Sequence, residues 1–219
     1  MSAPYRDEAF APMQRMANKA LTASHQEIPV AVLFAEADVT AWFDMSPVPK
    51  TASFTDCVIK LVAETLARHP TFNAVYADGL RRIFDHIDVG LAVAGTDGTL
   101  SIPVIRNACN LTLLEIAALR QSLQERARAK RLRPDDMSGT ALTISNISSS
   151  KFAQFAVPIV PNGQASILVI SAARNVQTFN GNIRRIVSLS FAFDHRVNNG
   201  MPAAAFLDDL VEGLGSLDL

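Results

Sequence analysis

Hydrophobic and polar positions alternate most cleanly late in the chain. Over 186–200 the sequence reads I-V-S-L-S-F-A-F-D-H-R-V-N-N-G, with Val187, Leu189, Phe191 and Phe193 interleaved by Ser188, Ser190 and Ala192. That period of two predicts a strand. It breaks into a polar cluster of Asp194, His195, Arg196, Asn198 and Asn199, closed by Gly200. Earlier, residues 11–25 predict an amphipathic helix entered at Pro12, with Met13, Met16, Ala17 and Ala20 on one face. Ile28-Pro29 ends it, 30–39 predicts a strand rich in Val, Leu and Phe, and Pro47 and Pro49 mark a loop. Residues 53–69 predict the clearest helix, capped by Ser53 or Thr55, striped by Val58, Leu61, Val62, Thr65 and Leu66, and stopped by Pro70.

Asp78-Gly79 predicts a hairpin running to Phe84, and Thr96-Asp97-Gly98-Thr99 a second one between 88–93 and 100–105. Thr112 with Glu115 forms a capping box that opens a helix facing inward through Ile116, Leu119 and Leu123. That helix ends in Arg126, Arg128, Lys130, Arg131 and Arg133, cations that complement a C-terminal dipole. Residues 139–147 alternate as a strand, and Asn180-Gly181 reads as a hairpin turn. A closing helix over 203–214 offers Ala205, Leu207, Leu210 and Val211 for packing. Strands mixed with helices along one chain give an α/β class.

At 219 residues, 49% hydrophobic and 19% charged, the chain is sized for one domain with a full core. The domain is expected over 10–219, with 1–9 as a tail or junction that carries acidic residues and no secretory signal. A formal net charge of -1 gives no electrostatic reason for a nucleic-acid or membrane-surface partner. No apolar run reaches the roughly 20 residues that span a bilayer. Cys57 and Cys109 are too few for a disulfide scaffold, which points to a reducing compartment. His25, His69, His86 and His195 show no metal-ligand clustering, and no glycine-rich phosphate loop is present.

A histidine at the mouth of a hydrophobic strand is placed for general-base work, since imidazole titrates near neutrality. Taken alone, the position favours a structural histidine satisfied by Asp194 in a polar turn. The stretch D-H-R-V-N-N-G, however, resembles the D-H-R-x-x-(D/N)-G signature of the catalytic domain of dihydrolipoamide acyltransferases. Those are the core components of 2-oxo acid dehydrogenase complexes, and chloramphenicol acetyltransferase is a distant relative of the same fold. Asp38-Val39-Thr40, H-P-T-F-N-A at 69–74, V-G-L-A-V with G-T-L-S-I-P-V-I, and Thr143-Ile144-Ser145-Asn146 resemble further family stretches in the family's order, and 156–170 resembles a strand pair of the family.

The resemblance implies a chloramphenicol acetyltransferase-like two-layer α/β fold, a mixed sheet flanked by helices, assembling as a trimer. It implies acyl transfer between a dihydrolipoyl thiol and coenzyme A. His195 would be the general base, Ser145 the oxyanion-stabilising hydroxyl and Asn199 an orienting group, while Asp194 and Arg196 brace the loop. In the family the histidine and the serine come from neighbouring subunits. Coenzyme A is then a substrate, the lipoyl group is supplied by a separate domain or chain, and no metal is implied. Implied partners are two further copies, a larger cubic or icosahedral core, a lipoyl domain, and other components of a complex such as pyruvate dehydrogenase. The implied compartment is a bacterial cytoplasm or a mitochondrial matrix. Two departures stand out. Glycines that the family carries after Asn146 are replaced by Ile147-Ser148-Ser149-Ser150-Lys151, and no lipoyl domain precedes residue 10. Two other functions stay open: a non-catalytic scaffold component of such a complex, and a free-standing coenzyme A-dependent acyltransferase with another acceptor.

Overall fold

The computed structural model describes residues 5–44, 52–95 and 99–216; the Pro47–Pro49 loop, the turn at 96–98 and the Met13 side chain lie outside them. The chain runs α1 (Pro12–Glu27), β1 (Val30–Asp38), α2 (Thr40–Asp44), α3 (Phe54–Arg68), β2 (Ala74–Ala77) and β3 (Leu80–Ile83). It continues with β4 (Val89–Leu91), β5 (Val93–Ala94), β6 (Leu100–Ser101), β7 (Val104–Ile105), α4 (Leu113–Arg128) and β8 (Leu142–Asn146). It closes with β9 (Ser166–Ile170), β10 (Arg174–Gln177), β11 (Ile183–Asp194) and α5 (Gly200–Ser216). The main sheet has the order β1-β11-β9-β8-β4-β7, with β10 also on β11. It is mixed: β8 lies parallel to β4 and β9, and the other pairings are antiparallel.

Alternation along β11 sends Leu189, Phe191 and Phe193 to one face, where α3 and α5 cover them with Leu66, Phe206, Leu207 and Leu210. The centre of this layer is aromatic. Phe206 stacks on Phe72 at 4.7 Å and on Phe191 at 5.0 Å between ring centroids. The opposite face, with Ala192 and Ile167, is covered by Val160 and Ile28, and the Ser24 hydroxyl donates to the Val160 carbonyl. Helix starts follow local chemistry. At α3 the Asp56 carboxylate accepts from both the Ser53 N–H and its hydroxyl at 2.7 Å, so Ser53 is the cap; Thr112 and Glu115 close the box expected at α4.

Four expectations are corrected. Only 166–170 of the 156–170 pair is a strand, because Pro158 and Pro161 lack the N–H that a ladder needs, and that stretch lies over the sheet as coil. Leu119 is 41% exposed, and α4 packs through Ile116, Ala117 and Leu123. In α5 Ala205 faces water, while Ala203, Phe206, Leu207 and Leu210 set the buried phase. On α1 the apolar face stands open, with Met16 73% exposed, so within one protomer this helix is anchored through Ser24 and Ile28.

One ion pair ties two helices beneath the sheet. Asp56, with no exposed surface, accepts from Arg120 Nε at 2.5 Å and Nη2 at 3.1 Å. Breaking a buried pair strands the remaining charge. Asp56→Ala is therefore expected to cost about 3–5 kcal/mol in chemical denaturation, and a loss within experimental error would refute the tie between α3 and α4.

Candidate active site

The β11 ladder with β1 ends at Val30 opposite Asp194, and the chain turns at once. The N–H groups of Val197 and Asn198 donate back to the Asp194 carbonyl at 3.0 and 3.2 Å, which makes the turn tight. The Asp194 carboxylate, 1% exposed, receives Arg196 as a fork, Nη2 to Oδ2 at 2.7 Å and Nε to Oδ1 at 3.0 Å. Those hydrogen bonds hold the Arg196 pKa above its ordinary value. The same guanidinium lies 4.2 Å over the Tyr76 ring. Asn198 is buried and donates to the Thr71 carbonyl at 2.9 Å, and Arg81 donates to the Val197 carbonyl.

Against this set of tied groups His195 stands apart. Its N–H donates to the Pro29 carbonyl at 3.0 Å, and its exposed ring leans on Phe193 at 5.8 Å. Among the described residues nothing hydrogen-bonds its imidazole. Asn199 is exposed; its carbonyl accepts from Ala203 N–H in the first turn of α5, and its side-chain amide is likewise unengaged.

Ser145 sits near the end of β8, half-buried, with no hydrogen bond to its hydroxyl, while polar residues on either side are engaged. Thr143 donates to Gln164, and Asn146 donates to the Thr55 hydroxyl at 2.9 Å and accepts from Ser148 N–H at 2.8 Å. The loop at 147–151 closes with Ser150 N–H on the Ile147 carbonyl at 2.9 Å. None of its residues has positive φ, so the path does not call for the glycines that the family carries there.

The register separates these groups within one chain. Ser145 pairs with Val169 and Val169 with Ser190, so the serine lies level with a point five residues short of His195 along β11 and two strands across. At about 3.3 Å per residue and about 4.8 Å per strand, they are about 19 Å apart. His195 and Asn199 share one end of the sheet, and Ser145 belongs to the other. Beside the histidine loop lies a cleft of about 520 Å3, lined by Tyr76, Arg82, Gln164, Asp194 and Arg196 among others, within the size range of small-molecule sites. Burial, then the Asp56 carboxylate, pushes the Cys57 thiol up to about 12, which keeps it protonated and inert. Among the described residues no group of three His, Cys, Asp or Glu side chains is arranged to hold a metal ion, and no helix is long and apolar enough to cross a membrane.

Sequence reasoning did not reach Tyr76 and Arg81, because their contacts join residues more than a hundred positions apart. Asn198 was visible in the polar cluster, but its burial was not.

The model of the 2-oxoacid dehydrogenases acyltransferase (catalytic domain) family matches residues 2–218. The dihydrolipoyllysine-residue acetyltransferase component of the Azotobacter vinelandii pyruvate dehydrogenase complex is 30% identical over 231 residues, covering 98% of this chain and 36% of that protein. The chain thus spans about a third of the length of the curated relatives it matches. Among solved structures, the cubic core of the pyruvate dehydrogenase multienzyme complex superposes with a TM-score of 0.90 at 29% identity, over 98% of this chain and 93% of that one. A structure of Azotobacter vinelandii dihydrolipoamide acetyltransferase, solved to study the role of a serine, a histidine and an asparagine in its catalytic mechanism, gives 0.90 at 28% over the same shares. Chloramphenicol acetyltransferase gives 0.60 at 13% over 90% of this chain and 94% of that one, a likeness of fold alone.

Removing the Asp194 carboxylate deletes four hydrogen bonds that hold Arg196, its backbone included. Asp194→Ala is expected to lower stability by about 1.5–3 kcal/mol, the range for hydrogen bonds to charged groups. Urea denaturation checks it, and an unchanged midpoint would remove the fork as a stabilising contact.

Proposed function

The chain belongs to the 2-oxoacid dehydrogenase acyltransferase family, as a catalytic domain, and from that premise we propose that it moves an acyl group between coenzyme A and the thiol of a dihydrolipoyl arm. The observation that carries the reading is selective: His195, Ser145 and Asn199 keep their polar ends unengaged, while Thr143, Asn146, Asp194, Arg196 and Asn198 beside them are tied. Groups held back from internal bonding are available to a substrate.

A thiol of pKa about 8.5 is mostly protonated at neutral pH and is a weak nucleophile in that form. His195 takes its proton on a ring nitrogen. The thiolate sulfur then bonds to the carbonyl carbon of the acyl thioester, and the carbonyl electrons move to oxygen. Ser145 donates its hydroxyl hydrogen to that oxyanion, where charge develops in a partly closed site. Collapse breaks the bond to the departing sulfur, which recovers the proton from the imidazolium. Asn199 orients the groups around the histidine. No covalent enzyme intermediate is formed.

A donor that serves the oxyanion must come within about 3 Å of it, which the 19 Å separation forbids inside one protomer. The site is therefore completed by a second copy, His195 from one and Ser145 from its neighbour, in a closed trimer. The superposition on a cubic core supports further assembly of such trimers. The lipoyl arm comes from a separate domain or chain. The names of the relatives make acetyl the first acyl group to test.

With dihydrolipoamide and acetyl-CoA as substrates, His195→Ala is expected to lower kcat about 10²–10⁴-fold with its assembly intact. Ser145→Ala is expected to lower it about 10²–10³-fold with KM little changed. Full turnover in His195→Ala would end the general-base reading. Co-assembly of the two variants in equal amounts gives a sharper check. An intact site forms wherever a chain that keeps the histidine meets one that keeps the serine, so about a quarter of wild-type activity is expected to return. No recovery from mixed trimers would exclude a site shared between copies.

A further inference from the structure

His195 is the first residue beyond the β1–β11 ladder, and its own anchorage is one backbone hydrogen bond to Pro29. Where its ring reaches is set by how the 194–199 turn sits on the rest of the molecule. The Asp194–Arg196 fork fixes the shape of that turn but joins two of its own residues. The attachments to other elements are few. Val197 packs against Ala165 and against Ala74 at the base of the β2–β3 hairpin, Asn198 donates to Thr71, and two polar contacts reach the same hairpin: Arg196 over the Tyr76 ring and Arg81 on the Val197 carbonyl.

The outer strand of that hairpin adds little to the core. The hairpin is a two-stranded sheet separate from the main one, and all four residues of β3 are exposed. Yet it is built to a fixed shape. The Asp78-Gly79 turn uses positive φ at both positions, 51° and 80°, and the Asn73 amide closes the base by donating to the Phe84 and His86 carbonyls at 3.0 Å. A hairpin of fixed shape that grips the two residues following His195 acts as a rest for that side chain.

We infer that the β2–β3 hairpin positions His195, with Tyr76 acting through Arg196 and Arg81 acting through the Val197 carbonyl. The inference rests on the reading of His195 as the base. Neither residue touches the reacting atoms, and both are positioning residues. Because a displacement of about 1 Å at a reacting group costs on the order of 10²-fold in rate, the effect on turnover should far exceed the effect on folding.

The test is steady-state acyl transfer by the assembled protein for Tyr76→Leu, Tyr76→Phe, Arg81→Met and His195→Ala, with melting temperature and oligomer size measured beside each. Tyr76→Leu and Arg81→Met are each expected to lose tenfold or more in kcat, with KM within twofold and melting unchanged. Tyr76→Phe, which keeps the ring face under Arg196, is expected to hold wild-type turnover. Turnover retained in both Tyr76→Leu and Arg81→Met beside an inactive His195→Ala would overturn the inference and leave the base intact. A drop in Tyr76→Phe as large as in Tyr76→Leu would overturn the part assigned to the ring face. Full activity in His195→Ala would remove the underlying reading itself. Should one of the two disruptive variants fail to fold, the other decides.

Discussion

β11 is hydrogen-bonded on both flanks, to β1 along 30–38 and to β9 along 166–170, and this double pairing fixes the rest of the molecule. A strand paired on both sides cannot slip by one residue without exchanging its faces. A slip would turn Phe191 and Phe193 out of the aromatic layer shared with Phe72 and Phe206. With the register locked, Asp194 must arrive at the ladder's end and His195 just past it. Strand pairing is thus what places a side chain with no hydrogen bond of its own.

Two of the carboxylate–arginine pairs work under different conditions. Asp56 and Arg120 are both largely withdrawn from water and tie α3 to α4, where each charge needs the other. Asp194 is withdrawn, but Arg196 keeps a third of its side chain exposed and offers its guanidinium face to Tyr76. The first pair holds helices together; the second stiffens the turn that carries His195. Burial of both partners decides the one role, and exposure of one partner permits the other.

Much of this was legible in the sequence because the signals are local. Ser53 and Thr112 announce their helices by hydrogen bonds three residues away, Asp78-Gly79 by its own backbone conformation, and β11 by simple alternation. Misreadings arose where a local signal was weak or was overridden. Apolar residues at 156–165 looked like strand although their prolines forbid a ladder, and Leu119 and Ala205 fit an apolar face whose true phase was set by the neighbouring helices. The resemblance supplied His195, Ser145 and Asn199 as a group. It did not supply the hairpin grip on the histidine turn, since that grip exists only once distant parts of the chain have met.

The gap of about 19 Å between histidine and serine along one sheet has a consequence for when chemistry can begin. On the proposed reading a lone protomer holds no complete site, and acyl transfer waits until it has met a neighbour. On that reading activity would follow mass action as well as folding, and dilution would lower it. In a closed trimer of the kind proposed, one protomer defective in both groups would disable two of the three sites around the ring, which would make the assembly more sensitive to a faulty copy than its stability alone would indicate.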